Sequence, residues 1–152
     1  MTRQPRSVQV VVFSDDARGR CYLLLKRIAR YGGHWQTVTG ALEPGETHLA
    51  AAQRELAEET GIEAAREEFI DLHLINTFQI APEWRHRYAP DITHNEEVCF
   101  ALRTHQREIR LESGEHEQYT WQYYEAALEM IYWESTRRAL TATESGVPSL
   151  ES

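Results

Sequence analysis

Residues 40–62 read GALEPGETHLAAAQRELAEETGI and carry the densest pattern of charge in the chain. Three glutamates, Glu55, Glu58 and Glu59, fall within five positions of this segment. Successive residues of an α-helix are rotated by about 100°, so Glu58 and Glu59 lie about 60° and about 40° on either side of Glu55. Like charges this close destabilise a helix and raise one another's pKa. The shared acidic face therefore favours a bound cation.

The same segment predicts an amphipathic helix over about residues 47–60. Leu49, Ala52 and Leu56 recur on the neighbouring face with helical spacing, which suits burial against a sheet. The threonine at the start of the helix is a suitable N-cap, and Gly61 can adopt the left-handed conformation that ends a helix. One side of the helix is therefore expected to pack while the acidic side faces a cleft.

Clustered carboxylates also predict a reaction class. Carboxylate oxygens are hard ligands that select Mg²⁺ or Mn²⁺, and Mg²⁺ commonly bridges a protein to substrate phosphates. The pattern therefore indicates metal-assisted hydrolysis of a phosphoanhydride. A solvated acidic face without a metal is the alternative, since runs of charge are usually exposed.

The complete spacing of the segment resembles the Nudix box at every specified position. The matching residues are Gly40, Glu46, Arg54, Glu55, Glu58, Glu59 and Gly61, with aliphatic residues at Leu56 and Ile62. The resemblance implies a Nudix hydrolase fold, an α/β/α sandwich with a mixed β-sheet, in one domain over residues 1–152. It also implies a substrate in which a nucleoside diphosphate is linked to another group.

The resemblance further implies roles for the charged residues of the box. Glu55 and Glu59 are the expected metal ligands, and Glu58 is a further ligand or a base. Arg54 is expected to orient a glutamate, and Glu58 is one partner within its reach at i+4. The expected cofactor is Mg²⁺, with Mn²⁺ as a substitute.

Segments outside the box resemble a bacterial subfamily of Nudix enzymes that hydrolyses dihydroneopterin triphosphate in folate biosynthesis. These segments are LKR at 25–27, WQTVTG at 35–40 and RHRYAP at 85–90. The implied reaction yields dihydroneopterin monophosphate and pyrophosphate. Two stretches, residues 81–84 and 112–114, depart from the subfamily pattern.

This second resemblance extends the predicted site beyond the box. Glu115 is implied as an additional metal ligand or base. The implied substrate contacts are Arg3, Arg27, Thr39, Phe78, Gln79, Ile80, Ala81, Arg87 and Tyr132. Arginines offer paired donors to phosphate, and aromatic rings can stack on a pterin or purine.

Two other functions remain open from the sequence. One is a nucleotide hydrolase that acts on dATP or on oxidised purine nucleotides by the same metal chemistry. The other is a catalytically silent Nudix module that senses a nucleotide. Silent modules usually lose glutamates of the box, and this chain has all of them.

The composition of the chain limits which binding partners and which cellular compartment we expect. Sixteen basic and 24 acidic residues give a net charge of −8, which argues against nucleic acid or a membrane surface as the partner. We expect a small-molecule triphosphate as the substrate and a cytoplasmic location, because no signal-peptide or membrane-spanning pattern is present. Cys21 and Cys99 are expected to be reduced thiols. The oligomeric state is left open.

Periodicity predicts the remaining elements. A hairpin is expected from residues 7–13 and 21–27, and a short extended piece at 36–39 leads into the box. Further strands are predicted at 69–80, 97–103 and 118–122, with a long polar connection before the second of these. Helices are predicted at 125–130 and 133–143, followed by a frayed tail over residues 145–152.

Overall fold

The computed structural model describes residues 2–149, and within that range a seven-stranded mixed sheet runs between helices. The strands are β1 (Arg6–Asp16), β2 (Gly19–Arg27), β3 (Trp35–Gln36), β4 (Val38–Ala41), β5 (Ile70–Gln79), β6 (His94–Arg103) and β7 (His116–Tyr123). The α-helices are α1 (His48–Thr60), α2 (Tyr124–Met130) and α3 (Glu134–Gly146). Short 3₁₀ helices occupy Ala29–Tyr31, Arg66–Glu68 and Pro82–Arg87.

The first two strands separate, and the chain that leads into α1 fills the gap between them. β1 and β2 pair as an antiparallel hairpin from Phe13 and Tyr22 towards the turn. Farther from the turn, β3 pairs with β2 and β4 pairs with β1. β1 also lies parallel to β6, β5 is antiparallel to β6, and β7 is antiparallel to β2. Residues 35–41 therefore link the two halves of the sheet just before the box helix.

Alternation along β1 divides the interior into two cores. Val8, Val10 and Val12 contribute to the core that also holds Leu56 of α1. Val11 and Phe13 point to the other face and contribute to the core that holds residues of α2 and α3. Successive side chains of a strand point to opposite faces, so a continuous apolar run fits a strand covered on both sides. The predicted α/β/α sandwich is confirmed.

Most predicted elements are present with shifted ends. The hairpin is confirmed, and the box helix begins one residue after its predicted start, at His48. β6 begins at His94, three residues earlier than expected, because its first residues pair with the end of β5. The long connection between those strands contains the 3₁₀ helix Pro82–Arg87. β5 is irregular between Asp71 and Leu74, where His73 has a φ of 53°.

The predicted frayed tail is wrong for its described part. α3 continues to Gly146, and Val147 is buried. The guanidinium of Arg20 donates to the carbonyls of Thr143 (3.1 Å), Val147 (2.7 Å) and Pro148 (3.2 Å). The last carbonyls of a helix lack partners within the helix, so this arginine of β2 holds the helix end. Residues 150–152 lie outside the described range.

Both cysteines, Cys21 and Cys99, are free and buried, as predicted. In the part of the chain that the structure describes, no helix has the length and apolar character needed to cross a membrane.

We expect Arg20→Ala to destabilise the fold. The side chain of Arg20 is 8% exposed and also pairs with Asp15 at 2.7 Å. Its removal leaves Asp15 with only the 3.3 Å contacts from Arg103 and removes the donor to the Val147 carbonyl, at an expected cost of about 1 to 3 kcal/mol in the free energy of unfolding. Urea denaturation measures this change. Arg138→Ala is the control, since the Arg138 side chain is 56% exposed in its pair with Glu134, and it should cost about 0.5 kcal/mol or less.

The stabilisation by Arg20 should also depend on pH. Hydrogen bonds from Arg20 lower the pKa of Asp15 below its ordinary value of 3.8, with Arg103 adding to the effect. A carboxyl group whose pKa is lowered by folding stabilises the fold above that ordinary value, and this contribution is lost as pH falls through the lower folded-state pKa. The stability difference between wild type and Arg20→Ala should therefore shrink below pH 3.8. A difference that stays constant into acid would show that Asp15 contributes little.

Candidate active site

Arg54 fixes the start of the box through several carboxylates. Its Nε and Nη2 each donate to Glu46 at 2.8 Å, and Nη1 donates to Glu55 Oε1 at 2.8 Å. Nη2 also reaches the carbonyl of Ala41 at 3.1 Å. The i+4 contact with Glu58 is longer, at 3.4 Å. Arg54 therefore positions glutamates. Its bidentate partner is Glu46, which lies outside the helix, so helical spacing could not predict this pair.

Gly40 and Glu55 are in direct contact across the gap between β4 and α1. A Cβ atom at position 40 would overlap the carboxyl end of Glu55. Burial raises the pKa of Glu55, and Arg54 opposes that shift. The glycine at the start of the box is thus required because the Glu55 carboxyl group occupies the space of a side chain.

Glu59 is the most deeply buried acidic group of the site. Its side chain is 1% exposed, and neither carboxylate oxygen has a hydrogen-bond partner among residues 2–149. Burial raises the pKa of Glu59 well above its usual range, and Glu55 and Glu115 raise it further. A buried charge without a partner is costly unless a cation or a proton compensates it. These two oxygens therefore fit ligands of a divalent metal.

Glu115 and His116 complete this cluster from β7 and the turn before it. Ligand atoms of Glu59, Glu115 and His116 lie within 4.8 Å of one another. Nε2 of His116 is 3.6 Å from Glu59 Oε1, and neither ring nitrogen has a hydrogen-bond partner in the described chain. Burial lowers the pKa of His116 to about 4, so the ring is neutral at pH 7 and can act as a ligand. The sequence did not identify His116, although its position beside Glu115 was a signal.

Glu58 differs from the other two glutamates of the acidic face. Its side chain is 48% exposed, whereas that of Glu55 is 13% exposed. The three carboxylates share a helix face as predicted, but they lie at different depths. Glu58 is therefore the member of the set that solvent water reaches.

Arg27 lies next to the acidic cluster. It is paired with His116 in the register of β2 and β7, at a bulge in the pairing. Its Nε is buried without a hydrogen-bond partner among the described residues, and its guanidinium lies 4.8 Å from the ring of Tyr31. An unpaired guanidinium nitrogen beside an acidic cluster that can hold a metal is suited to a phosphate oxygen.

Arg3 and Arg87, two further predicted contacts, are brought together by the backbone. The amide of Arg3 donates to the carbonyl of Arg87 at 2.6 Å. The guanidinium of Arg87 lies 4.4 Å from the ring centroid of Trp84. The backbones at these two positions, which are distant in the sequence, thus lie side by side.

The predicted contacts at the end of β5 and directly after it differ in exposure. Phe78 and Gln79 are exposed, and Ala81 is half-buried. Ile80 is buried, and its amide donates to the carbonyl of Thr93 at 2.8 Å. Ile80 therefore packs inside, while its neighbours are open to a ligand.

Thr39 and Tyr132 are the two remaining predicted substrate contacts. Thr39 is half-buried and immediately precedes Gly40 in β4. Tyr132 is 61% exposed and stacks on His34 with a centroid distance of 4.0 Å. An exposed aromatic pair of this kind is suited to contact with a planar ring.

Comparison with known proteins agrees with this geometry. The model of the NUDIX domain matches residues 3–142. The chain is 37% identical over 141 residues to the dihydroneopterin triphosphate diphosphatase of Escherichia coli, covering 91% of each chain. It is 32% identical to the enzyme of the same name from Haemophilus influenzae, covering 89% of this chain and 84% of that one.

A solved structure of the Escherichia coli enzyme is also similar to this chain. The structure of the Escherichia coli dihydroneopterin triphosphate pyrophosphohydrolase superposes with a TM-score of 0.81 and 35% identity, covering 95% of this chain and 97% of that chain. A family model over most of the chain, relatives above 30% identity and a matching fold agree with one another. This chain belongs to the Nudix hydrolase family.

Proposed function

We propose that this protein is a Mg²⁺-dependent hydrolase that converts dihydroneopterin triphosphate to dihydroneopterin monophosphate and pyrophosphate. The observation that carries the metal chemistry is the buried, unpaired carboxylate of Glu59 within reach of Glu115 and His116. The names of the relatives from Escherichia coli and Haemophilus influenzae support the substrate. Free thiols at both cysteines agree with a cytoplasmic location.

The acidic residues are assigned two roles, metal binding and acceptance of a proton. Glu55, Glu59 and Glu115 would hold the metal, and Arg54 keeps Glu55 in place. A divalent ion bound there neutralises phosphate oxygens and activates water. Glu58 is the exposed carboxylate of the set, so we assign it the task of accepting a proton from the attacking water.

The arginines and the aromatic residues would bind the two ends of the substrate. Arg27, Arg3 and Arg87 are assigned to the triphosphate, because guanidinium groups bind phosphate oxygens in pairs. The ring end would lie near Thr39, Phe78, Gln79, Ala81 and Tyr132, with Ile80 supporting the segment from inside. The cluster of glutamates and the aromatic residues would then hold opposite ends of one molecule.

A substrate panel tests this function. The purified protein with Mg²⁺ is incubated separately with dihydroneopterin triphosphate, dATP and oxidised dGTP, and pyrophosphate release gives kcat/KM. We expect a clear preference for the pterin. Comparable rates on the purines would identify a broader nucleotide hydrolase, and no turnover of any compound would favour the sensing module.

Glu59→Gln should abolish metal binding without unfolding the protein. Removing a buried charge relieves repulsion with Glu55 and Glu115, so the metal-free melting temperature should stay the same or rise. Affinity for Mn²⁺, measured by electron paramagnetic resonance, should fall by about 100-fold or more, with a comparable loss of kcat. Glu129→Gln, on the exposed surface of α2, is the matched control. Unchanged Mn²⁺ affinity in the Glu59 variant would contradict the assignment.

Gly40→Ala should displace the Glu55 carboxylate and little else. Because the overlapping atoms belong to the end of a flexible side chain, the free energy of unfolding should change by about 1 kcal/mol or less. Misplacing a reacting group by about 1 Å can cost about 100-fold in rate, and we expect a loss of kcat of that order. Gly146→Ala is the control, because a Cβ there meets no atom within 4 Å. Normal turnover in Gly40→Ala would show that Glu55 is not needed in its observed position.

Arg87→Ala should weaken substrate binding more than stability. The carbonyl that accepts from Arg3 is part of the backbone and remains in the variant. A lost charge-assisted hydrogen bond to phosphate should raise KM about tenfold, with a small change in melting temperature. Arg138→Ala again serves as the exposed control. Normal kinetics with a large drop in melting temperature would make Arg87 a structural residue.

A further inference from the structure

A buried group of polar side chains lies on the face of the sheet opposite α1. Gln9 of β1, Asn76 of β5 and Glu97 of β6 are 0%, 2% and 5% exposed. Asn76 and Glu97 are direct cross-strand partners. The core on this face is otherwise largely apolar, so three polar side chains at its edge call for an explanation in terms of their hydrogen bonds.

The hydrogen bonds of this group converge on one oxygen atom. Thr37 Oγ1 donates to Gln9 Oε1 at 2.5 Å, which fixes the orientation of the Gln9 amide. Nε2 of Gln9 then donates to Glu97 Oε1 at 2.8 Å, and Nδ2 of Asn76 donates to the same oxygen at 3.1 Å. Both amides also approach the carbonyl of Ser135, in the first turn of α3, at 3.5 and 3.4 Å.

Two acceptors are left over. Among residues 2–149, Oδ1 of Asn76 is buried and has no hydrogen-bond partner. Oε2 of Glu97 receives none of the hydrogen bonds that converge on Oε1 among the described residues, but it is not fully enclosed, so a ligand or water can reach it. A network that served only to hold α3 would not need these acceptors, and an unpaired buried acceptor costs stability. A ligand that supplies N–H donors would therefore satisfy both acceptors, the buried Asn76 Oδ1 and the accessible Glu97 Oε2.

The acceptors lie among the residues assigned to the ring end of the substrate. Thr39 is the cross-strand partner of Gln9. Phe78 follows Asn76 by two residues, so both project from the same face of β5, and Phe78 is 41% exposed. Tyr132 precedes Ser135 by three residues. Three elements thus bring the proposed ring contacts to the border of the buried group.

We propose that Glu97, together with Asn76, forms the subsite that reads the 2-amino-4-oxo edge of a pterin. This inference rests on the proposed function and names the part of the site that selects the ring. The edge presents two neighbouring donors, the ring N3–H and the 2-amino group. An ionised carboxylate and an amide oxygen offer only acceptors, which match that edge.

The same match of donors to acceptors distinguishes the pterin from some other rings. Guanine presents two neighbouring donors like the pterin, whereas hypoxanthine has lost the amino group. Adenine places an acceptor beside its amino group, so one acceptor of the ring would face an acceptor of the protein without a proton between them. Burial raises the pKa of Glu97, and the hydrogen bonds from Asn76 and Gln9 offset only part of that shift. The subsite should therefore discriminate by the donors of the edge.

Glu97→Gln tests this subsite with little change in shape. The new carboxamide keeps a carbonyl that can accept from Gln9 and Asn76, so the variant should fold with a similar melting temperature. We measure kcat/KM for dihydroneopterin triphosphate, dGTP, dITP and dATP. The variant should lose about 10- to 100-fold on the pterin and on dGTP, mainly through KM, while dITP, which keeps only the ring N–H, loses less and dATP changes little. Glu129→Gln, an exposed glutamate of α2, should leave all four values unchanged.

Binding of neopterin, followed by its fluorescence, gives a second readout that needs no hydrolysis. Its affinity should fall about tenfold in Glu97→Gln. Unchanged selectivity and unchanged neopterin affinity in a folded variant, or an equal loss on all four triphosphates, would overturn the inference and leave Glu97 a structural role. If wild type does not hydrolyse the pterin triphosphate but Glu97→Gln still weakens neopterin or removes a preference for dGTP over dITP, the proposed function fails and the subsite stands.

Discussion

The repulsion among the carboxylates of α1 is the constraint around which this protein is organised. Glu59 is enclosed, both of its oxygens are unpaired within residues 2–149, and Glu55 lies close enough to add to its pKa shift. The helix holds this arrangement because its other contacts are strong. Thr47 caps its first turn, Gly61 ends it, and its apolar side is buried against β1. Packing and capping thus offset a charge arrangement that an isolated helix would not tolerate.

The segment between β3 and α1 connects the chemistry of the two faces of the sheet. Thr37 donates to the buried group on one face, while Gly40 contacts Glu55 on the other. Alternation along a strand sends neighbouring residues to opposite faces. Thr39 and Gly40 are adjacent in the chain, so the backbone itself sets the separation between the ring end and the metal end of the site. In the proposed arrangement, residues 37–40 set the distance between the site that recognises the ring and the site of hydrolysis.

Sequence reasoning worked where the signal was local. The helix of the box was predicted within one residue because its apolar period, its cap and its terminal glycine all lie within the segment itself. Arg54 binds Glu46, and Arg20 binds carbonyls at the end of α3. Both contacts join residues that are distant in the sequence, so spacing along the chain could not predict them. His116 and Glu97 were missed for a related reason. A lone histidine or glutamate in a strand becomes notable only when the register shows what it faces.

The enclosed Glu59 carboxylate also links metal supply to the lifetime of the fold. A ligand that binds the folded chain and not the unfolded chain stabilises it in proportion to the logarithm of its concentration. The metal would relieve a repulsion that the empty protein carries, so its binding energy adds directly to folding stability. When the ion is scarce, the protein opens more often and is more readily cleaved by proteases. The abundance of this hydrolase would then follow the divalent-ion content of the cell.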